Sequence, residues 1–576
     1  MGGTMASGER WDPITLEIIW QRLLACANQA AVTILRTSFS TVVASSHDFK
    51  FVLTDANGDS LAQSYLGEVM FAMTFPDCMK RIIAEVGREN MRPGDVFITN
   101  DPWIGAGHLP DIHIATPVFF HGKVVAFSGS VIHISDIGGR FGPHDASEVY
   151  EEGICFPILR LCREGELNED IVKILCANVR TPELAQGDVM AQVSGNQVGA
   201  NLLCTFLEEY ELDDVAELSR TLQGRVEGAM RSKIAELPDG RYPHRTIAEI
   251  GVCSEEVEIF SEITIDGDEM TVDYSGSSPQ TQSAGVNCVL NCTRSLTLFP
   301  IHAMLLPDVP SNEGMTRPIK IVAPPGSVMN ALPPSPVDIR AMVTHLLPDH
   351  VMGSLAEILP DRVTAPAGLR WMLLADRINS QTGRRTITSF FQAGALGASM
   401  YRDGPNSKFF PIKSYHTPIE RFELDTGLIV EEKSLRADKG GPGRRRGGLG
   451  QRIRLWNPSP DPVSFTFYRP QMRHPPAGYF GGHTGATGNI ELNGEPLHAG
   501  VMRLEPGDRV LLETPCGGGF GPPEERELEL VLEDIRQGYV STYRAREVYN
   551  VVIDEKTLAP DLEQTRELRG GRVPQP

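Results

Sequence analysis

The sequence lacks any apolar run approaching the roughly 18 residues of a membrane-spanning helix, and it lacks any paired Cys-x-x-Cys. Its N-terminus, "MGGTMASGERWDP", has no basic segment leading into an apolar core, and Ala6 breaks the acylation pattern that Gly2 would start. We therefore expect no spanning segment, no secretory leader and no lipid anchor. The ten cysteines are scattered, most in apolar settings such as "VKILCANV" and "ANLLCTF". Such thiols suit buried, reduced positions, and we expect a cytoplasmic protein. Cys288 and Cys292 could form half of a zinc site, but a lone C-x3-C reads first as two buried thiols. Positive charge is also scarce. Lys and Arg number 53 against 74 Asp and Glu, for a net charge of −21, so neither nucleic acid nor an anionic membrane is an expected partner.

Three chemical signatures are missing as well. There is no G-x-x-x-x-G-K-[ST] phosphate loop, no dinucleotide-binding glycine fingerprint and no G-x-S-x-G nucleophile turn. The nearest candidate for a phosphate site is "GGPGRRRGGLG" at 440–450, which we read as a solvated turn between strands. A chain that used ATP would thus rely on another polypeptide to bind it.

What remains is ordinary globular composition, 41% hydrophobic and 22% charged over 576 residues, enough for several structural units. Asp12 followed by Pro13 signals a helix start, and apolar spacing extends that helix over 14–37. Asn57-Gly58 marks a hairpin turn, and 66–90 reads as helical. The class expected is α+β. Its parts are a β-rich metal-site region (1–165), a helical region (166–240), a mixed region (241–430), a Gly-rich β region (431–522) and a helical tail (523–576).

The stretch "NDPWIGAGHLPDIHIATPVFF", with "SVIHISDIGG" following, carries imidazoles and carboxylates inside strand-like sequence. Burying such groups is costly unless something binds them together. Period-two alternation puts Asp111 and His113 on one strand face. A three-residue loop at His121-Gly122-Lys123 would set Asp111 directly opposite His133, within reach of a shared ion, whereas a two-residue loop would separate them. His108, on the preceding turn, can fold back to the same point. Two imidazoles and one carboxylate suit a divalent ion that activates water; a plain hydrogen-bonded His–Asp pair would also satisfy the spacing. His113, His121 and His144 read as bystanders, and Asp136 as a turn residue or a contact to the site rather than a ligand.

These segments, together with "DPITLEIIWQRLLACANQAA", "YEEGICFP", "RADKGGPGRRRGGLG", "PPAGYFGGHTG" and "PCGGGFGPPEERELELVLEDIRQGYVS", resemble the hydantoinase B/oxoprolinase family, which also includes acetone- and acetophenone-type carboxylase subunits. The resemblance implies metal ligation by His108, Asp111 and His133. It also implies that Asp48, in "SSHDFKF", is a further ligand or a catalytic group, so that Asp48 and Asp111 are the catalytic candidates. Lys50, Trp103 and Gly-Ala-Gly-His at 105–108 depart from the family's usual residues, and we expect these departures to shape the substrate pocket. The resemblance further implies a hydantoinase A-like partner that holds ATP and Mg, phosphorylates the substrate's oxygen and passes the intermediate to a zinc or manganese ion here. A dimer of heterodimers is the expected assembly. The leading expectation is ATP-dependent hydrolysis of a cyclic amide: a hydantoin, 5-oxoproline or a lactam. Carboxylation of a ketone and a non-catalytic assembly role are the alternatives.

Overall fold

Asp12 starts the first helix, its carboxylate accepting from the Ile14 and Thr15 amides at 3.0 and 3.1 Å with Pro13 in the first turn. The computed structural model describes residues 10–141, 145–250, 255–497 and 501–570. The helix, Pro13–Thr37, is the one among the described residues long and apolar enough to cross a membrane by length and composition. Its buried face of Leu23, Ala27, Ala30 and Ile34 instead packs on a second long helix, Pro182–Glu209. Gly195 allows that approach, because a Cβ there would run into Ile34.

The second helix lies across an antiparallel sheet of β1 (Phe49–Asp55), β2 (Ser60–Gln63), β3 (Val96–Thr99), β4 (Asp111–Phe120), β5 (Lys123–His133), β6 (Leu159–Arg163) and β7 (Glu166–Leu167). Their order is β2-β1-β5-β4-β3-β6-β7. Two buried amides pin helix to sheet. Gln192 Nε2 donates to the Ile112 and Ser130 carbonyls at 3.0 and 3.1 Å, and Asn196 Nδ2 donates to the Ile114 carbonyl at 2.9 Å. The opposite face is covered by the helix Val69–Val86, whose Phe75 stacks on His113 and sits over Gly129. A buried phenylalanine of this kind contributes about 1.5–3 kcal/mol.

The β4–β5 hairpin corrects the expected loop. His121 and Gly122 have φ of +47° and +78°, so they form a two-residue turn with Phe120 opposite Lys123. Alone, that turn would put Asp111 out of register with His133. A β-bulge between Val118 and Phe119 inserts one residue on the β5 side, and beyond it Asp111 pairs with His133. The expected pairing stands for a different reason.

The stretch read as central helices holds Glu169–Asn178, Pro182–Glu209 and Ala216–Ile234. A second sheet follows, Gly240–Glu249, Glu256–Asp266, Glu269–Asp273 and Ile319–Val322, its last pair parallel. The third sheet orders Arg385–Gln392, Trp371–Ile378, Val463–Tyr468 and Val501–Leu504. The fourth is built on Gln451–Trp456 paired with Ile429–Leu435 and Arg509–Glu513. Helices Leu528–Arg536, Thr542–Tyr549 and Leu562–Leu568 close the chain. The fold is α+β.

The segment 440–450 is not a solvated turn. It is largely buried, and a Cβ on Gly447 would strike the Gly517 carbonyl, so two glycine-rich segments touch backbone to backbone. Arg446 is buried against Asp534, which also pairs with Arg526 at 2.8 Å, and Arg445 reaches Glu527 at 3.4 Å. These two arginines bind carboxylates of the C-terminal helical part.

One buried carboxyl makes stability pH-dependent. Asp349, in the helix Leu347–Leu355, accepts from the Ala367 amide through Oδ2, while Oδ1 is buried without a partner among the described residues. Burial pushes its pKa up to about 8. The folded state therefore holds this proton more tightly than the unfolded chain. Its stabilising contribution is complete below about pH 4 and is lost as pH rises towards 8, at about 1.4 kcal/mol per pH unit. Asp349→Asn should remove this slope, and its stability relative to wild type should improve by about 3 kcal/mol between pH 5 and 8 in urea titrations. An offset that is the same at both pH values would refute the assignment.

Candidate metal centre

The bulge-corrected register leaves Asp111 at the start of β4 facing His133 at the end of β5, with Asp48 just before β1 alongside. The Asp48 carbonyl accepts from the His133 amide at 3.0 Å. His47 precedes it with φ +59°, a left-handed turn that brings the chain into β1. His108 comes from the turn between β3 and β4. Its Nε2 lies 3.0 Å from Asp111 Oδ1, and His133 Nδ1 lies 3.1 Å from that oxygen and 3.2 Å from His108 Nε2. Among the described residues this is the one set of three or more His, Cys, Asp or Glu ligand atoms that close together.

Protonation makes the set a cation site in form. His108 Nδ1 is 3.0 Å from the Asp338 carbonyl, which can only accept, so the ring proton sits on Nδ1. Nε2 then presents a lone pair to a carboxylate oxygen. A single proton on His133 Nδ1 can be shared between the two, but none remains for the His108–Asp111 contact. Edges of 3.0–3.2 Å are close to the roughly 3.3 Å between donors around a tetrahedral ion with bonds near 2.05 Å. The donors present fit a divalent ion.

Electrostatics keep the ligands in the required states. Burial lowers the His108 pKa and Arg340 lowers it further, which favours the neutral ring. Burial works against the Asp111 carboxylate; a protonated His108 would oppose that cost, and with the ring neutral the permanent charge of Arg340, 2.6 Å away, is what holds the Asp111 pKa well below the usual range. Arg340 donates Nη2 to Asp111 Oδ2 at 2.6 Å and Nε to the Ala106 carbonyl at 2.7 Å and to Cys292 Sγ at 3.3 Å. The Cys288/Cys292 half-site is therefore corrected: Cys292 positions Arg340. Glu152, in "YEEGICFP", accepts from the Val337 and Asp338 amides and so fixes the carbonyl that orients His108.

Asp48 is buried, yet it lies outside the compact group of three. It lines the same cavity of about 150 Å³, together with Glu68, Met70, Met372, Arg370 and Tyr468. The third sheet supplies Met372 and Tyr468, with Arg370 just before its strand Trp371–Ile378, so the cavity runs along the seam between two sheets. Burial, then the charge of Asp48, pushes the Glu68 pKa up to about 8.

His113 is buried beside Phe75, and His121 sits in the exposed hairpin turn. Asp136 accepts from the Gly138 amide and pairs with Arg180 at 2.7 Å, as a turn carboxylate does. His144 and Cys253 lie outside the described residues. The departures expected to shape the pocket do not line it: Trp103 donates to the Ala331 carbonyl at 2.8 Å, and buried Lys50 sits near Lys413 and Glu68. Arg340 and Arg370 carry no local signal in "DIRAM" and "GLRWM", because their neighbours come from distant segments.

An α+β chain with a buried His–Asp–His donor set in the wall of a cavity has the form of an enzyme subunit. Comparison with known proteins makes this specific. The chain belongs to the hydantoinase B/oxoprolinase family, whose model matches residues 12–523. It is 30% identical to a putative D-/L-hydantoinase subunit from Pseudomonas sp. (strain NS671), over 97% of this chain and 98% of that one. The ATP-dependent caprolactamase of Pseudomonas jessenii matches in structure with a TM-score of 0.89 and 27% identity, covering 98% and 100% of the two chains. Nucleotide-free acetone carboxylase matches in fold with a TM-score of 0.85 and 21% identity, over 97% and 82%.

Proposed function

We propose that this chain is the metal-bearing subunit of an ATP-dependent cyclic-amide hydrolase, acting on a hydantoin, 5-oxoproline or a lactam. The observation that carries this reading is the convergence of His108, Asp111 and His133 on one point in the cavity wall. Relatives at 30% and 27% identity are named as a hydantoinase subunit and a caprolactamase, whereas the carboxylase likeness is one of fold. ATP and Mg belong to a hydantoinase A-like partner in this reading, since this chain has no phosphate loop; two such pairs would form a dimer of heterodimers in the cytoplasm.

A zinc or manganese ion held there would lower the pKa of water and polarise an oxygen. The chain's own residues do the rest. Arg340 keeps Asp111 ionised and aimed, and the Asp338 carbonyl keeps the His108 lone pair inward. Asp48 completes the ligand set or takes the proton of the attacking water. Met70, Phe71, Met372 and Leu374 give the cavity an apolar wall for the ring. Water adds to the phosphoryl-activated carbon, the ring C–N bond breaks as the nitrogen takes up a proton, and a second water releases the phosphoryl group from the resulting acyl phosphate as inorganic phosphate, leaving the carboxylate.

Hydrolysis takes its second reactant from water, and carboxylation takes it from bicarbonate. The complex with its partner should therefore open a cyclic amide with ADP release in bicarbonate-depleted buffer. In ¹⁸O-labelled water, the label should enter the new carboxylate. Turnover of ketones alone, with labelled bicarbonate carbon in the product, would establish the carboxylase reading in its place.

A further inference from the structure

Four arginines line the cavity, and three of them have carboxylate partners. Arg340 pairs with Asp111 at 2.6 Å, Arg180 with Asp136 at 2.7 Å, and Arg140 with Glu151 and Asp145 at 2.6 and 2.7 Å. Arg370 differs. It is 7% exposed, and its Nε and Nη1 are buried with no hydrogen-bond partner; among the described residues no carboxylate lies within 4.0 Å of it. A guanidinium does not shed its charge in a protein, so neutralisation cannot relieve this burial. Two aromatic rings provide its visible support: Phe391, with the ring centre 4.7 Å from the guanidinium carbon, and Tyr468 at 5.8 Å. Cation–π contacts of this kind steady the planar group through its faces and satisfy none of its N–H donors.

The surrounding structure keeps other partners away. Tyr468 donates its hydroxyl to the Ala341 carbonyl at 2.8 Å and lies 2.8 Å from His345 Nδ1. Glu68 is the carboxyl whose ionisation Arg370 most directly favours, yet its oxygens are taken by the Lys413 amide at 2.9 Å and the Ser414 hydroxyl at 2.8 Å. Arg370 thus lines the cavity with its Nε and Nη1 donors unreceived among the described residues.

We infer that Arg370 is the seat of an oxyanion carried by the cavity's ligand, a phosphoryl or carboxylate group that the guanidinium fork grips while the reacting carbon faces the His108–Asp111–His133 set. The fork geometry matches either anion, and bidentate pairing is the strong form of the contact. Assigning this anion to the substrate rests on the proposed function. The binding site itself does not, and the test needs no turnover.

The test uses the full chain, stripped of metal with chelator so that an ion cannot hold the anion. Inorganic phosphate and acetate are titrated by calorimetry into wild type, Arg370→Gln and Arg370→Lys, with circular dichroism reporting the fold of each. Wild type should bind at least one probe. Arg370→Gln should weaken that binding at least tenfold, and Arg370→Lys should weaken it less, since lysine keeps the charge and loses the fork. Tighter phosphate assigns a phosphoryl group, as a partner-made intermediate would carry; tighter acetate assigns a carboxylate of the substrate itself. If Arg370→Gln fails to fold, Arg370→Lys alone decides, and it should bind the preferred probe more weakly than wild type. The inference is overturned if wild type binds neither probe at 10 mM, or if the folded variants bind as tightly as wild type. Failure of cyclic-amide turnover in the complex would bear on the proposed function and leave this result standing.

Discussion

Replacing His133 by alanine should strip the chain of its metal and its activity while leaving the fold in place. The side chain ends a β-strand at the cavity wall, 16% exposed, and its ring contacts are with His108 and Asp111 rather than with the hydrophobic core. Removing it therefore creates no large core void, and the His133 amide still donates to the Asp48 carbonyl. The effect falls on the ion. One of three donors is lost, and disturbing merely the groups that orient such donors typically costs 10–100-fold in affinity or activity. Loss of a donor should exceed about a hundredfold in turnover by the complex, with metal content falling in parallel. Elemental analysis and circular dichroism on the same preparation check both halves. A folded His133→Ala protein with full metal content would remove His133 from the site.

Arg340→Met should produce the largest loss of stability. The guanidinium and the Asp111 carboxylate are both buried, 2.6 Å apart, and Arg340 also satisfies the Ala106 carbonyl and meets Cys292. Breaking a buried pair from one side leaves an uncompensated charge, a cost of about 3–5 kcal/mol. The sign with pH follows from Asp111, whose folded pKa is depressed: its pairing stabilises above the ordinary carboxylate range and fades as pH falls through the folded value. The Arg340→Met deficit, measured by denaturant titration, should thus be full at pH 7 and shrink in acid. Combining it with Asp111→Asn should recover part of the lost stability, because no buried charge is then orphaned, but should not restore metal binding. Independent, additive effects of the two substitutions would show that the pair is not coupled.

The two predictions separate roles that a single deletion of activity would merge. His133 belongs to the donor set, and Arg340 acts through Asp111 by holding its charge and its angle. Arg370 stands apart from both. Its loss should leave metal content unchanged, whereas the loss of Arg340 should not.

Local pattern was enough to determine the helix opened by Asp12-Pro13, the hairpin turned at Asn57-Gly58 and the α+β class, because capping, turn chemistry and hydrophobic period act over a few residues. It also placed Asp111 across from His133, although the loop it assumed was one residue too long. The bulge that restores the register leaves no mark in the alternation, since one extra residue on a strand buried on both faces changes no hydrophobic pattern. Other outcomes were decided by tertiary structure alone. Arg340 reaches Asp111 across 229 residues of sequence, and nothing in "DIRAM" distinguishes it from a surface arginine. The run "GGPGRRRGGLG" reads as a solvated loop by composition, but its glycines are there to let backbones touch, and Arg446 is buried against a carboxylate from the C-terminal helices. Whether a charge is solvated or buried depends on what the rest of the chain brings beside it. That is a property of packing over long sequence distances, and no short window of residues contains it.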